Sequence, residues 1–434
     1  MNHLYIVRLP HDSKYDEMLR DQGYLDYIFY LKKNLIRTTV IDLRDPARIH
    51  TVNTIPGGAN VVIAVLRTSQ IGHGLTVAGY LKRHRRAVII FGKLINYGAF
   101  STPYFNCSRY RFIDYVIPAK CGEMAVLRYL RGDPSFLIKN AAGQKAPENN
   151  DPEISMDDLR TSDMPHRNQF LTYELSRGCP NRCYYCSNSL SRFQHKKVAQ
   201  VISEIRQLVK INKTKKVVFV GAEINFNNDY LAELLVKLVP LNIQWTSYAV
   251  PRGLDKAMLL GMKEAGCRLL SLGLESADQN TLDAIGKRTS IEEVSRILQD
   301  CYSLSIKTQI HIIVGFPYET AEDIGKLKQF VHINKSSITN INISNLDIPK
   351  DSRIGRNPDG HGILMESLEE GEFFSFYEKG RSSSQKRAEI SARIEDLEKF
   401  IKGLGLSVFT TRTPFDESFE RLYLQSLNLS KRGK

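Results

Sequence analysis

Apolar and polar positions along the chain follow two rhythms. Short apolar runs fall at residues 3–8, 37–42, 60–65, 87–91 and 113–117, and runs with helical spacing at 24–33, 74–83 and 122–130. Short apolar strands alternating with amphipathic helices predict a parallel sheet covered by helices on both faces. Residues 1–135 therefore read as an N-terminal doubly wound, Rossmann-like domain. No Gly-x-Gly-x-x-Gly follows the first strand, which argues against a dinucleotide. Residues 136–165 are polar, with Gly143, Pro147 and Pro152, and read as a linker.

The alternation then resumes. Strands are predicted at 170–175, 217–220, 244–248, 268–274, 308–314 and 340–346, and helices at 198–211, 229–239, 254–265, 291–301 and 321–333. Ser290-Ile291-Glu292-Glu293 and Thr320-Ala321-Glu322-Asp323 have the composition of capping boxes, and Gly266 stops the third helix. Six strand–helix pairs, the last without a clear helix, fit a partial (β/α)6 barrel over residues 166–364, open on one side. Residues 365–434 read as a small, mostly helical segment with a helix at 385–404. The fold class is α/β throughout, and in such sheets ligands sit at the C-terminal ends of the strands.

Composition narrows the function classes. The 434 residues are 42% hydrophobic and 25% charged, as in a soluble globular protein. No run approaches the ~20 apolar residues of a membrane span. The N-terminus reads as a first strand and not as a signal peptide. The net charge of +13 leaves nucleic acid, an acidic substrate or anionic lipid open. The basic residues are dispersed, however, and no RNA-binding module with interleaved aromatics is present. Nucleic acid is therefore not expected as a partner.

The densest chemistry lies after the strand at 170–175, where Cys179, Cys183 and Cys186 are spaced C-x3-C-x2-C. Three thiolates on one loop can hold three corners of an iron–sulfur cube and leave one iron open, whereas iron–sulfur clusters usually take four cysteines. A structural zinc site would need a fourth ligand, for which His195 is the nearby candidate. Cys107, Cys121, Cys267 and Cys301 are scattered and form no disulfide framework, which fits a reducing cytoplasm.

With Tyr184 and Tyr185 between the last two cysteines, the motif resembles the signature of the radical S-adenosylmethionine (SAM) enzymes. The strand–helix layout ahead of it resembles the cobalamin-binding domain of the cobalamin-dependent members. The resemblance implies a [4Fe–4S] cluster on Cys179, Cys183 and Cys186, with SAM chelated at the open iron. It places Tyr185 in the SAM site, together with Gly221, Ala222 and Glu223 after the second barrel strand, Glu223 holding the SAM amino group. After the fourth strand, Glu275 and Ser276 would face the ribose and methionine parts, and Arg288 would pair the carboxylate. Gly315, in the run Val314-Gly315-Phe316-Pro317-Tyr318-Glu319-Thr320, would let the backbone approach adenine. Glu223 and Glu275 are expected to act on SAM and not on the fold.

The same resemblance gives residues 1–135 a cobalamin, bound over Thr68, Ser69, Gln70 and His73, over Gly92 and Lys93, and over Cys121, Gly122 and Glu123. No Asp-x-His-x-x-Gly is present, so no histidine is expected below cobalt. The implied activity is methylation of an unactivated carbon in a biosynthetic substrate, through a 5′-deoxyadenosyl radical and methylcobalamin, with the cofactors carrying the chemistry. The partners are a small-molecule or peptide substrate and an electron donor such as flavodoxin or ferredoxin. A radical rearrangement, cyclisation or epimerisation is an alternative outcome. RNA methylthiolation is another, although the extra N-terminal cysteines and C-terminal RNA-binding barrel of that group are not seen here.

Overall fold

The structure, a computed structural model, describes residues 3–9, 31, 34, 36–43, 46–65, 71–92, 110–117, 122–134, 137–139, 170–190, 192–346, 348–349, 352–367, 373–378 and 380–410. These form two compact units, 3–139 in the first and 170–367 with 373–410 in the second.

The first unit is built on β1 (His3–Arg8), β2 (Arg37–Asp42), β3 (Asn60–Ala64), β4 (Val88–Gly92), β5 (Tyr115–Val116) and β6 (Ile138–Lys139). Their order is β2-β1-β3-β4-β5-β6. All neighbours are parallel except β5 and β6. The Val- and Ile-rich central strands are buried, as parallel strands covered on both faces must be. The helices Ile71–Arg85 and Gly122–Leu130 follow β3 and β5. The first packs close to the sheet: a Cβ on Gly74 would stand 3.0 Å from the Phe91 ring. Strand β6 falls inside the predicted linker, because two residues leave no periodicity to read. The predicted helix at 24–33 lies almost wholly outside the described residues.

The second unit contains β7 (Leu171–Glu174), β8 (Ser176–Arg177), β9 (Gln194–His195), β10 (Lys216–Val220), β11 (Gln244–Ala249), β12 (Cys267–Glu275), β13 (Lys307–Val314) and β14 (Asn340–Asn345). It continues with β15 (Ile348–Pro349), β16 (Ile363–Ser367), β17 (Phe373–Glu378) and β18 (Ser407–Thr410). Seven strands form one parallel sheet in the order β18-β14-β13-β12-β11-β10-β7. The helices Val198–Asn212, Asn228–Leu238, Lys256–Glu264, Ile291–Ser303 and Ala321–Asn334 lie between successive strands. Both predicted capping boxes form, at Ser290 with Glu293 and at Thr320 with Asp323. Leu270, Leu272, Leu274, Ile310, Ile312, Ile341 and Ile343 pack into the main core of this unit.

The sequence accounts for six of these strands. The seventh, β18, is supplied by the segment after 365, and the helix that leads to it is Ser383–Gly403. That helix is the missing partner of the sixth strand, displaced by the antiparallel sheet β15-β17-β16. Among the described residues, no helix is long and apolar enough to cross a membrane.

Candidate functional site

The cysteine loop leaves the C-terminal end of β7 and is closed at its base by β8 pairing antiparallel with β9. Two glycines permit that closure. Gly178 has φ +67°, and a Cβ there would meet the Arg192 carbonyl oxygen at 2.4 Å. Gly221, at the end of β10, has φ +127°, and its Cβ would meet the Ser176 oxygen at 2.3 Å. The Ser176 hydroxyl accepts a hydrogen bond from the Ala222 amide at 2.9 Å. The Gly221-Ala222-Glu223 turn is thereby locked to the root of the cysteine loop. Gly221 and Ala222 serve this packing through their backbones.

Glu223 reaches from that turn into the loop. Asn181 donates to its Oε1 at 2.6 Å, and Cys179 Sγ lies 3.4 Å from Oε2. Arg252 in turn donates to Asn181 Oδ1 at 2.9 Å. Burial raises the Glu223 pKa against the pull of Cys179, Lys287 and Arg252. The three loop cysteines are free thiols, Cys183 buried and the other two half-buried. Burial pushes all three thiols up, Cys186 to about 11, with the Glu223 charge adding to the effect on Cys179. Thiols in such surroundings become thiolates when a metal cation replaces the protons.

The donor set fits an iron–sulfur cube. Three sulfurs lie on one loop at a strand end, and a carboxylate stands beside Cys179. It fits zinc poorly. His195 is occupied in an aromatic cluster, 4.9 Å from the Phe226 ring and 4.8 Å from Tyr230. Among the described residues, no three His, Cys, Asp or Glu side chains converge on a single-ion site.

Behind the loop is a buried ion pair that the sequence reading passed over. Lys287 Nζ lies 2.7 Å from Glu275 Oε1, both side chains about one-tenth exposed. A Cβ on Gly273 would meet Glu275 Oε1 at 2.3 Å and Lys287 Nζ at 2.5 Å, so glycine makes room for the pair. Burial works against the charge on Lys287, but Glu275 and the thiols outweigh it and hold the lysine above its ordinary pKa. Glu275 also adopts φ +64°. Its carboxylate thus has a buried protein partner in Lys287 besides the SAM contact the sequence leads one to expect. Tyr185 packs edge-on to Phe316 at 5.8 Å, its hydroxyl pushed upward in pKa by burial and by Glu275.

Arg288 is exposed, while its neighbour Lys287 turns inward. Both line a small open pocket with Asn181, Cys183, Arg252 and Thr289. Ser276 is buried, and its hydroxyl accepts from the Asp278 amide at 3.1 Å. Gly315 has φ +104°, and the close approach there is made by Ile390, 2.5 Å from where a Cβ would be. The loop after Gly315 is tied to the C-terminal helix by buried charges. Lys386 Nζ lies 2.5 Å from Glu378 and 3.3 Å from the Phe316 carbonyl, and Arg393 pairs with Glu319 at 3.1 Å.

In the first unit, Gly92 ends β4 with φ +142°, packed against Ile117. The helix after β5 begins at Gly122, as the sequence implies. His73 is exposed in the first turn of the helix Ile71–Arg85 and not on the loop before it, because the helical run begins at Ile71. Thr68, Ser69, Gln70, Lys93 and Cys121, and the Glu123 side chain, lie outside the described residues.

Residues 173–331 match the model of the Radical SAM superfamily. An uncharacterized methyltransferase of Pyrococcus horikoshii is 28% identical over 176 residues, 39% of this chain and 38% of that one. The ribosomal protein uS12 methylthiotransferase RimO of Elusimicrobium minutum is 31% identical over 175 residues, 36% of this chain and 40% of its own. The chain thus spans well under half the length of these curated relatives. Among solved structures, TsrM of Kitasatospora setae, a radical S-adenosylmethionine methyltransferase with cobalamin and a [4Fe-4S] cluster bound, aligns with TM-score 0.68 at 14% identity, covering 98% of each chain. The chain carries a radical SAM domain. Its fold over nearly its whole length is that of the cobalamin-dependent radical SAM enzymes.

Proposed function

We propose that this protein is a cobalamin-dependent radical SAM methyltransferase that places a methyl group on an unactivated carbon. The observation that carries the reading is the loop of Cys179, Cys183 and Cys186 with the Glu223 carboxylate 3.4 Å from Cys179. When bound, a [4Fe–4S] cluster with SAM would supply a 5′-deoxyadenosyl radical, and methylcobalamin the methyl group. The chain's own residues hold and orient. The three cysteines are the cluster ligands. Glu223 accepts from the SAM amino group, with Asn181 and Arg252 fixing its direction. Arg288, exposed at the cavity rim, pairs the SAM carboxylate, as a guanidinium fork suits. Lys287 holds the Glu275 carboxylate in place near Tyr185. The N-terminal unit holds the cobalamin at its strand ends, a reading supported by its fold and by the cobalamin in TsrM. A flavodoxin- or ferredoxin-like protein delivers the electron in the cytoplasm.

The test is anaerobic reconstitution with iron and sulfide, followed by SAM, a reductant and cobalamin. A brown protein that forms 5′-deoxyadenosine and transfers label from methyl-labelled SAM is the expected result. Changing Cys179, Cys183 or Cys186 to Ala should abolish iron retention, while Cys267→Ala, buried in the core, should keep it. Equal iron loss in the Cys267 variant with its fold intact would overturn the ligand assignment. Deoxyadenosine without methyl transfer would move the reaction to a non-methylating radical outcome.

A further inference from the structure

The inner face of the second unit's sheet is polar. Parallel strands in closed α/β folds are usually apolar on both faces, and barrel interiors are filled by Val, Ile and Leu. Here β13 reads Gln309-Ile310-His311-Ile312 and β14 reads Asn340-Ile341-Asn342-Ile343. The isoleucines pack into the helix-covered core. By the twofold repeat of a strand, the polar residues share the opposite face. The register stacks them in two rows: Ser271 beside Gln309 and Asn340, then Gly273 beside His311 and Asn342. Gln309 and Asn340 are fully buried, and Tyr248, whose ring lies 5.4 Å from His311, is 38% exposed. Tyr248 pairs with Ser271, so the row of Gln309 and Asn340 opens at its Tyr248 end, and His311 and Asn342 in the next row are half-buried.

Among the described residues, several of its atoms have no protein partner. Nε2 of His311, Nε2 of Gln309, Oδ1 of Asn342, and both amide atoms of Asn340 are buried and unpaired. Leaving a buried polar group unpaired is costly, and a row of them asks for a function. The proton positions follow from the amide. Asn342 Nδ2 stands 3.3 Å from His311 Nδ1. With the Asn342 amide in this orientation its nitrogen donates, so Nδ1 accepts and the ring proton sits on Nε2. The upper row then offers one N–H from His311 and one C=O from Asn342. The charges that act on His311, Glu275 and Lys287, form an ion pair with each other.

We propose that Tyr248, Gln309, His311 and Asn342 form the substrate-recognition subsite, and that it takes an uncharged group that both donates and accepts hydrogen bonds, an amide or a hydroxyl, and not a carboxylate or a cation. Unpaired donors and acceptors are mixed on this face with no free charge, which is the complement of a neutral polar group. A carboxylate would leave the Asn342 carbonyl opposed to an acceptor, and a cation would face the His311 N–H. Burial also keeps the imidazole neutral, lowering its pKa to about 4. This inference deepens the proposed reaction and rests on it for the meaning of the subsite.

The test uses the full chain with 15N-labelled histidine and needs neither cluster nor SAM. His311→Gln identifies the ring signals, and acetamide, acetate and methylammonium are the probes. The expected result is an Nε2–H tautomer and a saturable shift of the His311 signals with acetamide, little or none with the ions, and loss of the response in Asn342→Leu. Asn342→Leu also removes the amide that donates to His311 Nδ1, and Gln309→Met removes the acceptor of the Ser271 hydroxyl, so a modest drop in melting temperature with a cooperative transition is expected of each, and that retained transition separates loss of the subsite from loss of the fold. An equal response to acetate, or no response to acetamide, overturns the proposal. A protein that shows the acetamide response but binds no iron would instead refute the proposed function.

Discussion

Lys287 Nζ lies 2.7 Å from Glu275 Oε1, and the space for that contact exists because residue 273 has no side chain. The pair stands behind the cysteine loop, and Cys183 feels both charges. Removing one partner leaves the other charged and buried, which typically costs ~3–5 kcal/mol. Lys287→Met should therefore lower unfolding free energy by about that amount in a denaturant titration. The double variant Lys287→Met with Glu275→Gln should recover a large part of it. Additive losses would show that the two side chains do not interact.

Glu223 differs in that its partners belong to the cysteine loop and not to the core. Glu223→Gln keeps the shape and loses the charge. Iron content and melting temperature should stay near those of the parent, while SAM binding by calorimetry weakens roughly tenfold or more, the size of a charged hydrogen bond, ~1.5–3 kcal/mol. Unchanged SAM affinity would remove Glu223 from the site.

Gly221→Ala tests the lock between the second strand end and the cysteine loop. Its backbone has φ +127°, and the added methyl would meet the Ser176 carbonyl oxygen at 2.3 Å. Backbone cannot yield as a flexible side chain does. A loss of order 1–3 kcal/mol, together with impaired iron loading, is the expected outcome. A variant that loads iron as the parent does would show that the lock is dispensable.

The C-terminal helix is held by Lys386, 1% exposed, against Glu378. Lys386→Met should destabilise by ~3–5 kcal/mol, whereas Lys402→Met, which breaks an exposed pair with Glu398, should change stability by less than ~1 kcal/mol. Comparable effects of the two would contradict the burial argument.

His311 gives a pH signature. Its folded pKa is lowered by burial from the ordinary 6.5 to about 4. Between those values the unfolded chain binds a proton that the folded one does not, so this group's stabilising contribution is complete above 6.5 and is lost as pH falls toward 4. In His311→Gln the slope of stability against pH in that window should be flatter by up to one proton. An unchanged slope would mean that the ring is protonated in the fold.

The elements that could be read in advance were those with a repeating pattern. Strands β1 and β2 lie at the predicted residues, and both capping boxes form, because each depends on residues close in sequence. The cysteine motif was legible for the same reason. Lys287 and Arg288 show the limit. The sequence presents two neighbouring cations in a turn, and only the fold decides that the lysine turns in and the arginine out. The pairing of β18 with β14 spans more than sixty residues across an inserted sheet, and four residues carry too weak a signal to announce it. The polar inner face was readable as the alternation Asn340-Ile341-Asn342-Ile343, had the strand's period been followed on both faces.

The late arrival of β18 bears on how the chain is made. While a ribosome is still synthesising residues before 407, β14 has a partner on one side only, and its six residues present open amides and carbonyls to any other strand nearby. Exposed edges of this kind template aggregation, and pairing across a long sequence separation is slow. The nascent barrel is therefore most exposed to misassembly just before its end is released. Chains cut between residues 350 and 400 should accumulate as insoluble material even though they retain Cys179, Cys183, Cys186 and Glu223.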